Sequence, residues 1–154
     1  MLKPVACAAA LILSAAGAWA QAEKPAPKDA AAVQACLDSE RGEELDGARC
    51  IGVVADPCLE NANSTVDMRE CSSRELRVWD VMLNDAYAQV REQLDAKQQI
   101  KLRDMQRAWI ASRDKTCAFY YDFHQGTMAT PLIAYCMVRE TARRTMFLRR
   151  FLKG

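Results

Sequence analysis

The sequence has few of the side chains on which most catalysis and metal binding depend. Its 154 residues include one histidine, His124, and no two cysteines have the CxxC spacing of common zinc sites. The chain therefore has few residues that could form a nucleophile with an adjacent base or a tetrahedral metal centre. We expect no metal, no cofactor and no enzymatic activity.

The chain also lacks a strong net charge, a glycine-rich phosphate loop, internal repeats and a convincing strand pattern. A formal net charge of +1 argues against a dedicated nucleic-acid binder. The charges are unevenly spread, because residues 29–75 carry eleven acids and four bases, whereas residues 76–154 carry eight acids and fourteen bases. This asymmetry fits two faces that attract each other within the fold, or a lobe that steers a charged partner.

The first twenty residues have the pattern of an export signal. Lys3 supplies the positive start, residues 5–16 form an apolar run, and residues 18–20 (AWA) form a cleavage site. A membrane anchor is the alternative, but the run is too short to span a bilayer. Cys7 precedes most of the run, which argues against lipidation. We expect cleavage after Ala20, a periplasmic or secreted protein, and no stable membrane insertion afterwards.

Removal of the signal leaves an even number of cysteines, which indicates disulfides formed in an oxidising compartment. The six are Cys36, Cys50, Cys58, Cys71, Cys117 and Cys136. Cys117 and Cys136 lie at similar distances on either side of a turn near Gln125, so helices meeting there would bring them together. The favoured pairing is sequential (36–50, 58–71 and 117–136), and a Cys71–Cys117 bond is the alternative.

Helical periodicity predicts a short N-terminal helical hairpin followed by three long helices. Residues 21–28 form a Pro/Ala/Lys spacer that we expect to be disordered. In the hairpin, residues 29–55, Asp29 would cap a helix ending at Glu40, and a second helix would stop before Asp56-Pro57.

A capping residue precedes each long helix, and two of them have a reciprocal partner three residues later. The predicted helices are 66–94 after Ser64, 96–123 after Asp95, and 131–152 after Thr130. The short connection between the first two makes them antiparallel neighbours. The fold class is therefore all-α, a small disulfide-stapled bundle over residues 56–154 behind the hairpin.

The second long helix carries polar residues on the stripe that faces its neighbours. Gln106 and Arg113 occupy positions where a core helix would have leucine, and buried polar groups need partners. We predict that Asp80 or Asn84 accepts hydrogen bonds from them, which is a structural role. The enzymatic alternative is a concave site converging on Asp80, Gln106 and Arg113.

Aromatic residues gather where the second long helix ends. They are Phe119, Tyr120, Tyr121 and Phe123. They either pack in the core or form an exposed anchor for a protein partner.

Four distinctive motifs lie between residues 56 and 152. They are DPC(x)12C from residue 56, WDVMLNDAY from 79, LRDMQRAWIASRDKTC from 102, and Cys-(x)4-Thr-x-x-Arg from 136. Together they resemble the LprI-type lysozyme inhibitor family of exported bacterial proteins. Besides cysteines, the family-like positions include Asp80, Asn84, Tyr87, Gln106, Trp109, Arg113 and Asp114.

The resemblance implies inhibition of lysozyme in the cell envelope, with the motif residues serving mainly as scaffold. An acidic stretch containing Glu40, Glu43, Glu44 and Asp46 would then meet a basic lysozyme through electrostatic steering. The alternative is a non-catalytic envelope assembly factor that binds another protein or anionic lipid. Its binding helix would be the basic third helix, with Arg143, Arg144, Arg149 and Arg150.

Overall fold

A computed structural model describes residues 24–40 and 47–152. The elements are α1 (Pro27–Ser39), a 3-10 turn (Ala48–Cys50), α2 (Ala55–Leu59), α3 (Thr65–Glu92), α4 (Ala96–His124) and α5 (Ala129–Arg149). This part of the chain contains no strand, so the predicted all-α class is confirmed. No helix in these two ranges is long and apolar enough to cross a bilayer.

Helix α5 is the centre of the bundle. Its buried positions include the small residues Ala134, Val138 and Ala142, which let α3 approach closely. The hydroxyl oxygen of Thr145 lies 2.9 Å from the backbone oxygen of Thr141 on its own helix and 3.3 Å from that of Trp79 on α3, so its one hydrogen is shared between the two acceptors. Helix α5 packs on both α3 and α4, so the predicted neighbours α3 and α4 meet each other mainly near the turn that joins them.

Two hydrophobic clusters fill the space around α5. The first joins α1, α3 and α5 through a set that includes Val33, Val78, Trp79, Val138 and Met146. The second joins α3, α4 and α5 near the α3–α4 turn through Leu83, Ala86, Val90, Leu102 and Leu148. Helix α4 contributes little to either, since only Leu102 and Cys117 of its 29 residues are buried.

A fully buried carboxylate, that of Glu75, joins α3 to the segment that begins α2. Its oxygens accept from the backbone N–H groups of Gly52 (2.7 Å), Val54 (3.0 Å) and Ala55 (2.8 Å). They also accept from the indole nitrogen of Trp79 at 2.9 Å. Four donors compensate for taking a charge out of water, because hydrogen bonds to an ionised acceptor are the strong ones.

The turn that delivers these N–H groups requires glycine at position 52. Gly52 has a φ of +102°, and a Cβ added there would collide with the carboxylate of Asp56. Burial and the negative charge of Glu75 together raise the pKa of Asp56. The segment from Gly52 to Asp56 is therefore shaped around the Glu75 carboxylate.

The sequential disulfide pairing is confirmed. The Cα–Cα distances are 5.7 Å for Cys36–Cys50, 5.5 Å for Cys58–Cys71 and 5.5 Å for Cys117–Cys136. Each is within the range that a disulfide spans. The bonds join α1 to the 3-10 turn, α2 to α3, and α4 to α5.

Helix α1 starts earlier than predicted, and Asp29 does not cap it. The helix begins at Pro27, inside the predicted spacer, with Ala26 at the N-cap. Asp29 is 4% exposed and accepts from Nε and a terminal nitrogen of Arg74 at 3.0 and 2.6 Å. A two-pronged ion pair with α3 outweighs capping, because it also satisfies a carboxylate held away from water.

Pro57 and Pro131 both lie inside helices. The sequence had predicted that a helix stops before Asp56-Pro57 and that another begins at Pro131. Helix α2 runs through Asp56-Pro57, and α5 begins at Ala129, so Thr130 does not cap it. Both prolines occupy first turns, where the backbone N–H has no partner within the helix, so losing it costs little.

The caps predicted for α3 and α4 are confirmed, but the reciprocal bond from Asp67 to Ser64 is not formed, because the Asp67 carboxylate accepts from the backbone N–H of Asn63 at 3.2 Å. The backbone N–H of Asp67 donates to the Ser64 hydroxyl at 3.1 Å. Asp95 and Gln98 form a capping box, with bonds of 2.8 and 3.1 Å in the two directions.

Replacing Glu75 with leucine should destabilise the protein strongly. Three backbone N–H groups and the Trp79 indole would lose their acceptor inside the core. We expect the free energy of unfolding to fall by about 3 kcal/mol or more, measured by urea denaturation of the oxidised protein. Glu70→Leu is the matched control, since Glu70 lies on the same helix with its side chain 56% exposed. Equal denaturation midpoints for the two variants would contradict the role of Glu75.

Candidate functional site

The polar stripe of α4 faces α5, and together they form what we call the polar seam: Gln106, Trp109, Arg113, Thr141 and Arg144. Nε of Arg144 donates to the side-chain oxygen of Gln106 at 2.8 Å. Arg113 donates to the hydroxyl of Thr141 at 3.5 Å. The seam is thus built from the family-like positions of both helices, which the fold brings to one interface.

Two guanidinium groups flank the indole of Trp109. The Cζ atoms of Arg113 and Arg144 lie 4.9 and 5.5 Å from its ring centroid, and that of Arg144 also lies 5.0 Å from the Phe147 ring. These are cation–π distances. Burial lowers the pKa of Arg144, and one of its terminal nitrogens is buried with no hydrogen-bond partner among the described residues. The aromatic faces therefore provide much of its surroundings.

The predicted acceptors on α3 do not make the bonds expected of them. Arg113 bonds instead to Asp114, its neighbour in sequence, at 3.0 and 2.9 Å, and Gln106 bonds to α5. Asn84 is exposed. The prediction that inward polar groups of α4 need partners was sound, but α5 supplies those partners because it lies between α3 and α4.

The carboxyl group of Asp80 nevertheless interacts electrostatically with Arg113 of the seam. It is half-buried, and burial raises the pKa of its carboxyl while the positive charge of Arg113 lowers it in part. The balance leaves the pKa above its ordinary value. Keeping Asp80 ionised therefore costs folding free energy, and the positive charge of Arg113 reduces that cost.

The side chains of the seam supply contacts between helices. Gln106, Arg113 and Arg144 direct hydrogen bonds at one another's helices, and Tyr87 packs against the cluster at the α3–α4 turn. In residues 24–40 and 47–152 no group of three His, Cys, Asp or Glu side chains could hold a metal ion.

The acidic residues proposed for partner binding fall at the edge of the described structure. Glu40 follows the end of α1 and is half-buried. One of its carboxylate oxygens is buried without a hydrogen-bond partner among the described residues. Glu43, Glu44 and Asp46 lie outside those residues.

The arginines of α5 have separate surroundings. Arg143 donates to Glu140 at 3.2 Å, Arg144 lies in the polar seam, and Arg149 lines a cavity of about 220 Å³ together with Asp85. They do not form one uniform basic face.

The aromatic cluster at the end of α4 is largely exposed. Phe119, Tyr121 and Phe123 have 62%, 63% and 71% of their surface accessible, whereas Tyr120 is half-buried and stacks on His124. Of the two interpretations of this cluster, core packing is therefore wrong for most of its members.

Sequence reasoning missed Glu75, although a signal was present. Glu75 precedes Trp79 by one helical turn on the apolar stripe of α3, in register with Ser72 and Leu83. A lone glutamate at such a position must be buried with donors or rotated outward. Its three backbone donors come from a segment 20 to 23 residues earlier in the chain, and the stripe itself does not identify them.

The fold and its contacts define a small, disulfide-bonded, all-α protein whose inward polar residues hold helices together. The family model described as "Lysozyme inhibitor LprI" matches residues 58–148, which is more than half of the chain. The protein therefore belongs to the LprI lysozyme inhibitor family. No curated protein and no solved structure matches the chain.

Replacing Arg113 with leucine should lower the melting temperature more at neutral pH than near pH 3.5. Because the pKa of Asp80 is raised, ionising it costs stability as the pH rises above about 4, its ordinary value. Arg113 offsets part of that cost, so its loss should matter most where Asp80 is ionised. Thermal unfolding at the two pH values measures the difference.

Arg103→Leu is the control for this prediction. Arg103 pairs with the next residue, Asp104, as Arg113 pairs with Asp114, but its side chain is 48% exposed and it lies outside the seam. It should have a small effect at both pH values. An equal effect of the two substitutions would count against the electrostatic link between Arg113 and Asp80.

Proposed function

We propose that this protein is an exported, non-catalytic binding protein that inhibits lysozyme and so protects cell-wall peptidoglycan. The observation that carries the proposal is the family match over residues 58–148. The matched region contains the α3–α5 bundle and two of the three disulfides. The family's description is that of an inhibitor, which is consistent with a protein that has no catalysis of its own.

The disulfides support a location outside the cytoplasm. Three bonds use all six cysteines that follow the predicted signal, and such bonds persist in the periplasm or after secretion. The predicted signal itself, residues 1–20, lies outside the described residues. A periplasmic or secreted protein would meet lysozyme where that enzyme attacks the wall.

The polar seam supports binding rather than catalysis. Its amide and guanidinium groups are engaged between α4 and α5, so they are not gathered around an open site where a substrate could react. The partner would instead contact the outer surface.

The acidic residues near the end of α1 are our candidate for the first encounter. Glu40, Glu43, Glu44 and Asp46 are four acids within seven residues that contain one base, Arg41, so this stretch has a formal charge of −3. A negative stretch of this kind accelerates association with a positively charged enzyme, and the effect weakens as salt screens it. The alternative of an envelope factor acting through the basic helix has less support, because the α5 arginines differ in their surroundings.

Saturable inhibition should appear when the oxidised chain from Gln21 onward is titrated into lysozyme acting on cell-wall substrate. Animal-type and bacterial-type enzymes should both be assayed, since the family description names neither. We expect inhibition to approach completion near stoichiometric amounts and to weaken as salt rises. If neither enzyme is inhibited, the proposed function is overturned.

Reversing Glu43 and Glu44 to lysine should slow association with the lysozyme that is inhibited. We expect a loss of about tenfold in the association rate at low salt, and a smaller loss at high salt. Glu60→Lys with Glu92→Lys is the matched control, because it makes the same change in net charge at two exposed positions elsewhere. Equal effects of the two double variants would show that only net charge matters.

A further inference from the structure

A concave apolar surface lies where α3 ends and α4 begins. Its walls are five apolar side chains: Val90 and Leu94 near the end of α3, Leu102 and Met105 near the start of α4, and Phe151 just after α5. The cavity between them has a volume of about 670 Å³. Sites for small ligands have volumes of about 300–1,000 Å³. We call this surface the turn groove.

The floor of the turn groove is hydrocarbon. Val90 and Leu102 are buried members of the second hydrophobic cluster, and the half-buried Leu94 and Met105 pack against that cluster. Phe151 forms an exposed wall, with 51% of its surface accessible. None of these five side chains carries a hydrogen-bond donor, so a sugar or a peptide would lose hydrogen bonds to water on this floor. A hydrocarbon chain would lose none.

The polar residues of the groove lie at its open side, which we call the mouth. Gln98 and Lys101 are three residues apart on α4, so they are neighbours on one face of the helix. The side-chain oxygen of Gln98 accepts from the backbone N–H of Asp95 at 3.1 Å, which leaves the amide nitrogen to donate to a ligand. Lys101 is exposed and has no ion pair within residues 24–40 and 47–152. Lys97, also exposed, lies one turn earlier.

No carboxylate lines the groove, and the nearby ones are directed elsewhere. Asp104 follows Lys101 by three residues, but 100° steps place Lys101 between it and the groove. One oxygen of Asp104 also lies 2.9 and 2.8 Å from two nitrogens of Arg103. Asp95 is held in the capping box of α4, and Glu92 lies about 200° around α3 from the floor of the groove. The mouth therefore favours an anionic group.

We propose that the turn groove binds a fatty acid, with its hydrocarbon chain on the floor and its carboxylate at Lys101 and Gln98. Burial of the chain supplies most of the affinity, because apolar surface leaves water on both sides. The carboxylate accepts from the ammonium and amide groups, which determines which end of the ligand lies at the mouth. The long apolar stem of Lys101 lets its charge follow the carboxylate. This site is separate from the acidic stretch and does not depend on the proposed function.

An anionic bilayer fits the groove less well than a single chain does. Attachment to a bilayer through charge uses clusters of four to eight basic residues, whereas only Lys97 and Lys101 lie near the mouth. The apolar surface is also concave, with its floor below the ring of Phe151. A bilayer presents a broad surface, and it would reach the rim of such a groove before its floor.

The test is isothermal titration calorimetry of the oxidised chain from Gln21 onward with sodium dodecanoate, kept below its micelle concentration. We expect saturable binding of one dodecanoate per chain. Dodecyltrimethylammonium has a chain of the same length with a cationic head, and it should bind about fivefold or more weakly because Lys101 repels it. No saturable binding of dodecanoate, or equal affinity for the two amphiphiles, would overturn the proposal.

Two substitutions locate the ligand. Phe151→Ala should weaken dodecanoate binding about fivefold, because it removes one wall. Its matched control is Phe119→Ala, an exposed ring near the other end of α4. Lys101→Ala should weaken dodecanoate binding about threefold and leave dodecanol binding unchanged. Its matched control is Lys115→Ala, an exposed lysine on α4 about 21 Å further along the helix. Equal effects within either pair would place the ligand elsewhere and overturn the proposal.

Two further measurements test the other occupants of the groove. Binding to phosphatidylglycerol vesicles without binding to dodecanoate would make the groove a membrane contact and overturn the proposal. A dimer in sedimentation that Phe151→Ala dissociates and dodecanoate does not would make a second copy of the chain the occupant, with the same consequence. Circular dichroism melting curves should coincide for all four variants, because the substituted side chains are exposed.

Discussion

A single buried carboxylate sets the geometry of the N-terminal half of this protein. Glu75 has no counter-cation among its hydrogen-bond partners, and three of its four donors are backbone N–H groups of one short segment. That segment must turn sharply, which explains the positive φ of Gly52. The same carboxylate orients the Trp79 indole, so the start of α2, the middle of α3 and the largest core side chain form one unit.

The C-terminal half uses a different solution. There α5 carries small side chains toward α3, and the polar seam toward α4. Arginine suits the seam because a planar guanidinium group can donate hydrogen bonds at its edge while its face lies on an aromatic ring. Arg144 donates to Gln106 and Arg113 to Thr141, and both lie over the ring of Trp109. The helix with the fewest buried residues, α4, is thus held by directional contacts and a disulfide, which leaves its outer side exposed.

Local signals in the sequence predicted local structure well. Ser64 and Asp95 cap helices because their partners lie three residues away, and the disulfides join cysteines close in sequence. The misassigned features depend on distant partners. Asp29 pairs with Arg74, Glu75 gathers a loop from before α2, and Arg113 meets α5 rather than Asp80, because a third helix lies between. The helical periodicity of a sequence indicates that a polar side chain faces inward, but it does not identify the segment that supplies its hydrogen-bond or ion-pair partner.

The position of α5 also bears on the order in which the fold can be completed. The Cys36–Cys50 and Cys58–Cys71 bonds each close a short loop within the first half of the chain, so neither needs α4 or α5 in order to form. Helix α5 follows α3 and α4 in the sequence, and until it packs, those two helices expose the surfaces that it covers. The core is therefore completed only when α5 is in place, and only then does Cys117 meet its partner, Cys136.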